Sequence, residues 1–445
     1  MNKYSLSALV AAGLLAGGLS TTSASAADLG GNCCADLEER IAELEATTAR
    51  KGNRKVSLTV SGFVAQQLLI WDDGFESNAY ITDTGAVSIG TNFSFTGSAT
   101  IAPGWTAGFA LRIEAINNDS LLVNQNSDDP GANALGAIAN GGSLSPLAIE
   151  SAYWFIKNDR LGRISVGQQS TAADNAAVLP DASGSLVVAN YILYDVNGFF
   201  LRNNAGAGIL GLNYGSIASC YPLNGGGGVS GDCDGYPSNV VRYDSPTFSG
   251  FSFSASWGED DIWAVSGRYA GEFNGVKLAL ATAYNENTDE TLGVGGPRPR
   301  GFKGSAWQIG GYVQHVPTGL FGYAAYAQEF VDSSTGNVFF DNKPEGETYY
   351  FKGGIRQKWN ALGHSVLYGE YGNDDDKFTA QAFQAGVSGS ELERYGIGIV
   401  QEIDAAAMSI WLAYRHYEPE VRGAGGADLQ AQDFDLVKFG ALISF

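Results

Sequence analysis

The sequence closes on DFDLVKFGALISF, and this stretch alternates. Val437, Phe439, Ala441, Ile443 and Phe445 share one parity. Lys438, Gly440 and Ser444 share the other, with Leu442 the exception. A period of two marks a strand with one apolar and one polar face. From Val56 onward the same pattern recurs in short segments divided by turn residues. No apolar run long enough for a spanning helix follows the first segment. This repetition constrains the fold more than any other feature, because it admits only a chain of many short strands. It also carries the sheet to the final residue, where chain ends are ordinarily loose.

Sixteen segments read as strands: 56–70, 88–101, 105–117, 148–158, 162–170, 239–244, 250–257, 262–272, 276–285, 304–316, 320–331, 347–358, 364–372, 392–402, 407–418 and 434–445. An even number returns both ends to one side, as bacterial barrels require. The connections are sorted by length. Ala102-Pro103-Gly104, Asn158–Leu161, Ser245–Ser249, Phe273-Asn274-Gly275 and Pro317-Thr318-Gly319 are tight. The alternate connections 71–87, 118–147, 171–238, 286–303, 332–346, 373–391 and 419–433 are long, and only Gly258–Asp261 breaks the rule. Short turns at one end and long loops at the other mark a membrane barrel, and a soluble sandwich gives no reason for such sorting.

The faces agree. Ala107, Phe109, Leu111, Ile113 and Ala115 lie on one side of GWTAGFALRIEAI, and Gly108, Ala110, Arg112 and Glu114 lie on the other. Lipid takes the apolar face, so the polar face looks inward. Trp71, Trp105, Trp154, Trp257, Trp307 and Trp359 fall near strand ends, where aromatic rings belong at the membrane interface. The expected fold is all-β: a 16-stranded antiparallel transmembrane β-barrel over residues 56–445, preceded by a short N-terminal periplasmic coiled-coil helix. A barrel loses its edges only if its last strand meets its first. That explains an end on a bare Phe445, which also suits recognition by barrel assembly machinery.

The first 26 residues have a basic Lys3, an apolar stretch over Leu6–Leu19 and an Ala24-Ser25-Ala26 cleavage site. They read as a secretory signal peptide cut between Ala26 and Ala27. In the following segment, 27–55, Leu37, Ile41, Leu44 and Thr48 are spaced as the seam of a coil of about two heptads. Such a helix is too short to stand alone, so it is expected to pair with copies of itself or to lie on a neighbour. Removing Lys3 with the leader takes the net charge from −21 to −22. That argues against a nucleic-acid partner. The exported chain is expected to oxidise, and Cys220 and Cys233, twelve largely glycine-rich residues apart in ASCYPLNGGGGVSGDC, are expected to form a disulfide. Cys33 and Cys34 could cross-link subunits or remain thiols.

YWFIKNDRLGRISVGQQS (153–170) and VVRYDSPTFSGFSFSASWGE (240–259), on either side of a long loop, resemble general bacterial porins. The preface CCADLEERIAELEATTARKGNRKVSLTVSG resembles the leader of alphaproteobacterial, rhizobial-type porins. The resemblance implies a homotrimeric pore in the outer membrane, surrounded by lipid and lipopolysaccharide. Such a pore passes small hydrophilic solutes and ions by passive diffusion, with no cofactor and no metal. It also implies a constriction made by the loop at about 171–238. The loop's Asp174, Asp181 and Asp195 would be the acidic side. Arg112, Arg242, Arg268, Arg356 and Arg394, on the inward parity, would be the basic side. The sequence departs from better-known porins in lacking their P-E-F-G loop element and their tight arginine ladder. The Ala27-Asp28 start resembles that of barrels attached to peptidoglycan, which a periplasmic coil would suit.

Enzymatic action is not expected. His315, His364 and His416 sit in no catalytic motif, and the GGGG at 225–228 lacks a strand–helix setting. Two other readings compete with the open pore. One is a substrate-specific channel, for which Tyr191, Tyr194, Phe199 and Phe200 could form an aromatic slide. The other is a membrane-to-peptidoglycan anchor whose barrel is plugged by its long loop.

Overall fold

The computed structural model describes residues 56–85, 89–115, 118–128, 147–220, 230–234, 237–258, 261–287, 302–333 and 344–445. The leader with Ala26 and Ala27, Cys33 and Cys34, the coil positions Leu37, Ile41 and Leu44, and the glycines at 225–228 lie outside them.

Alternation becomes strand after strand: β1 Ser57–Asp72, β2 Ser77–Thr82, β3 Asn92–Ala102, β4 Trp105–Ala115, β5 Leu147–Asn158 and β6 Gly162–Gln169. Next come β7 Phe200–Arg202, β8 Gly208–Asn213, β9 Ser238–Asp244, β10 Phe251–Gly258, β11 Trp263–Phe273, β12 Val276–Asn287 and β13 Phe302–His315. The chain then continues through β14 Leu320–Ser333, β15 Gly346–Gln357, β16 Ser365–Asp375, β17 Gly389–Ile403, β18 Met408–Arg422 and β19 Phe434–Ser444. Every pairing between these strands is antiparallel, and the sheet closes where β19 meets β1, from Phe63 opposite Ser444 to Asp72 opposite Asp435. The Phe445 and Gly62 backbones add two bonds of 3.0 and 3.1 Å beyond that register. The barrel has sixteen strand positions. At the tight turns the chain uses residues that tolerate positive φ: Asn274 and Gly275 stand at 49° and 75°, as a two-residue hairpin loop needs.

One position differs from expectation. The second strand was expected at 88–101. Its lower part is β3, but the upper part opposite β1 is filled by β2, which lies inside the expected loop 71–87. The chain turns back at once after β1 because Asp72 accepts from the Gly74 amide and Asp73 from the Phe75 and Glu76 amides. The loop 171–238 also holds structure of its own, the hairpin β7–β8.

Outward positions are apolar and exposed. Phe439 and Ile443 of the closing strand face out, whereas Lys438 and Leu442 are buried inside. Trp105, Trp154, Trp257, Trp307 and Trp359 are exposed on the outer surface. Trp71 corrects the interface assignment. It shares inward parity with Ala65 and Leu69 and is buried, with its ring 5.2 Å from Phe199 and 6.2 Å from Phe434. Parity, not closeness to a strand end, decides which face an aromatic ring serves.

Candidate functional site

The loop after β6 turns into the barrel. Arg242 of β9 fixes its root by donating from Nη1 to the carbonyls of Ser170 and Thr171, at 3.0 and 2.8 Å. Gln308 of β13 then brackets the incoming chain. It accepts from the Ala177 amide at 2.9 Å and the Tyr191 hydroxyl at 3.1 Å, and donates to the Ala173 carbonyl at 2.9 Å. Tyr323 donates to the Ala177 carbonyl at 2.6 Å. A Cβ on Gly310 would run into that carbonyl, so glycine is what lets the loop lie flat on the wall.

Asp181 and Asp195 face lysines rather than the arginines expected from sequence. Lys352 of β15 lies 2.5 Å from Asp181 and donates to the Ala189 carbonyl at 2.6 Å. Lys438 of β19 lies 2.5 Å from Asp195 and donates to the Val188 carbonyl at 2.7 Å. Gln67 also donates to Asp195, at 2.8 Å. The Asp181 and Lys352 side chains have no exposure at all. These pairs therefore fasten the loop to the wall and do not border open water.

Arg356 and Arg394 take their carboxylates from the wall. Arg356 forks onto Glu402, from Nε to Oε1 at 3.1 Å and from Nη2 to Oε2 at 2.7 Å. Arg394 pairs with Asp374 and donates to the Tyr191 carbonyl at 2.7 Å. A second fork joins Arg415 to Glu370 at 2.9 and 2.8 Å. Lys352, Lys438, Gln67 and Gln308 were missed by sequence reasoning, although each lies on the inward parity of its strand.

The remaining candidates occupy the other side. Arg112 of β4 stands 2.6 Å from Glu150 of β5. Asp174 lies at the loop root. Burial pushes its carboxyl up, against the pull of a Ser170 hydrogen bond and of Arg242 and Arg268. Asp232 and Asp234 join it there from the returning half of the loop, and burial pushes the Asp234 carboxyl up to about 7. Cys220 and Cys233 form a disulfide, with the Lys377 ammonium 2.9 Å from the Cys220 sulfur.

Of the aromatic residues proposed as a slide, Tyr191 and Phe199 are buried packing groups, and Tyr194 and Phe200 are partly exposed. Tyr191 is buried between loop and wall beside Leu186, Tyr350 and Val366. Phe199 joins Trp71, Tyr214, Tyr417 and Phe434 in a second apolar cluster nearer the long-loop end. Phe200 lies at the start of β7, half-buried, and its carbonyl accepts from Gln125 at 3.0 Å. The three histidines lie apart. His315 contacts Thr318 at 2.8 Å, His416 contacts Asp435 at 2.7 Å, and His364 stands 3.6 Å from Glu402.

A closed membrane barrel with a long loop folded against its inner wall defines an outer-membrane channel. The sequence matches the family described as Gram-negative porin over residues 7–431, and the chain belongs to that family. A comparison with curated protein sequences gives no match. Among solved structures, it is similar to the anion-selective porin from Comamonas acidovorans, with TM-score 0.53 and 15% identity, over 88% of this chain and 100% of that one. It is also similar to OmpT of Vibrio cholerae in its trimer form, with TM-score 0.51 and 11% identity, over 88% and 99%. Salmonella typhi OmpF in complex with daunomycin gives TM-score 0.51 and 12% identity, over 88% and 98%. At these identities the likeness speaks for the fold. Proteins of this family and fold are channels.

Proposed function

We propose that the barrel conducts small hydrophilic solutes and ions passively through water, without a gate driven by a cofactor. The observation that carries this is the one-sided placement of the loop. Its apolar residues pack against β1 and β13–β19, while inward residues of β3 and β4, such as Thr96 and Ala110, stay partly exposed. A lumen bounded on one side by a fastened loop and on the other by bare wall has room for water. The trimer form of the Vibrio cholerae protein supports a homotrimer here too. The leader up to Ala26, attachment to peptidoglycan at Ala27 and reading of Phe445 by assembly machinery belong to the same proposal.

Single-channel recording in a planar bilayer tests it. Large, long-lived, ohmic steps are expected from the folded oligomer. Absence of steps from protein whose gel mobility shifts on heating, and which is therefore folded, would overturn it. A barrel plugged by its loop, acting as an anchor, would then be the better reading.

A further inference from the structure

We propose that solutes pass along a strip of hydroxyl side chains on the inner wall of β1, β3 and β4, and that the Arg112–Glu150 pair at its upper end sets charge selectivity. This rests on the passive-channel reading above.

The strip follows from register. Inward positions of the lower half of β1 carry Ser57, Thr59 and Ser61, all exposed. Their partners across the sheet are Ser98, Thr96 and Ser94, each partly exposed. β4 continues the wall with Gly108 and Ala110 opposite Ser98 and Thr96, and the ring of Phe155 from β5 lies against Gly108 at the lower edge of the strip. The outward neighbours Leu58 and Val60 are about half exposed, on the lipid side. One face of these strands is therefore built for lipid, and the other carries small polar groups.

The opposite wall cannot serve a solute in the same way. Lys352, Asp181, Arg394 and Asp374 have side chains with no exposure, because the loop covers them. Arg112 and Glu150 retain 15% and 10% exposure and stand where β4 approaches the long-loop end. Ser94 is the register partner of Arg112, so the pair ends the strip directly. Other charges face this side. Glu114 is buried on β4 and Asp174 lies on the loop. Arg163, Arg242 and Asp244 form their own ion-paired group near the short turns, with Arg268 close to it.

A hydroxyl both donates and accepts, so the strip can replace part of a solute's water shell without charging it. That chemistry suits small uncharged polyhydroxylated solutes. A paired Arg and Glu contribute a local field with little net charge, and loss of either partner leaves the other to act alone.

The test uses the whole protein in planar bilayers with a bulky, charged thiol-reactive methanethiosulfonate. Modification of Thr96→Cys, or of Ser98→Cys should the first variant fold poorly, is expected to cut conductance roughly in half. Val366→Cys, on the loop-covered wall, and the parent protein are expected to be unchanged. Block at Val366→Cys without block at Thr96→Cys or Ser98→Cys would overturn the path, as would indifference of all variants in a conducting channel. Arg112→Gln is expected to raise the cation-to-anion permeability ratio roughly twofold, and Glu150→Gln to lower it. No shift in either would overturn the role of the pair. A parent protein that does not conduct at all would instead bring down the passive-channel reading.

Discussion

Lys352 holds its place through Asp181 and the Ala189 carbonyl, with no exposure to water. An ion pair so buried is weak evidence for net stability, but removing one partner strands the other charge. Lys352→Met is therefore expected to cost about 3–5 kcal/mol, and the double variant Asp181→Asn/Lys352→Met distinctly less. Urea unfolding of the detergent-folded barrel measures both. Equal losses in the single and double variants would show that the charge is not trapped. Why lysines, when the sequence pointed to arginines? A guanidinium fork wants a carboxylate presented flat, with both oxygens in reach. Glu402 and Glu370, each two strands away on the wall, provide this for Arg356 and Arg415, while Arg394 divides its guanidinium between Asp374 and the Tyr191 carbonyl. The loop carboxylates are left to point charges on flexible stems. The parity of Lys438 was visible in DLVKFGALISF. Its partner was not, because Asp195 lies 243 residues earlier, and alternation carries no information about what a loop brings to a wall.

At the scale of elements, the strands were legible because lipid on one side and polar groups on the other enforce a period of two over most of the chain. The misses fall where that rule lapses. Segment Ser77–Thr82 pairs with the last six residues of β1, where its alternation serves a partial ladder instead of a full strand. Trp71 belongs to an apolar cluster made by the loop, and no local pattern separates that from an interface ring. The hairpin β7–β8 has too few residues to show a period. The disulfide needed only spacing and compartment. It ties Ala218 and Ser219, which lie along Lys377, to the returning half of the loop at Cys233. Closing a segment with sequence separation 13 constrains the unfolded chain by about 3 kcal/mol in the loop-entropy account. Cys220→Ser/Cys233→Ser is thus expected to unfold at a lower urea midpoint, with a slope no smaller than the parent's because the released chain is less compact. An unchanged midpoint would mean that packing alone holds the loop tail.

For the whole molecule, closure is the property on which every other contact depends. The loop can lie on β1 and β13–β19 only if β1 and β19 are neighbours, and that seam joins the two ends of the barrel segment. Ten residue pairs make it, from Phe63–Ser444 to Asp72–Asp435, and ten more join β18 to β19. Removing residues 434–445 would leave β1 and β18 with unpaired backbone groups facing lipid, each costing several kcal/mol. It would also remove Lys438, and with it the anchor of Asp195. The truncated chain is therefore expected to give no species that resists detergent until heated. Phe445→Ala separates closure from recognition. The Phe445 ring is 62% exposed, and its backbone bonds to Gly62 do not need it, so folding into detergent micelles is expected to match the parent. Assembly in cells is expected to slow, because the ring is what the assembly machinery would read. A folded, heat-modifiable band from the truncated chain would show that the seam is dispensable. Failure of Phe445→Ala to fold in micelles would place the ring in the packing of the barrel and not at its surface.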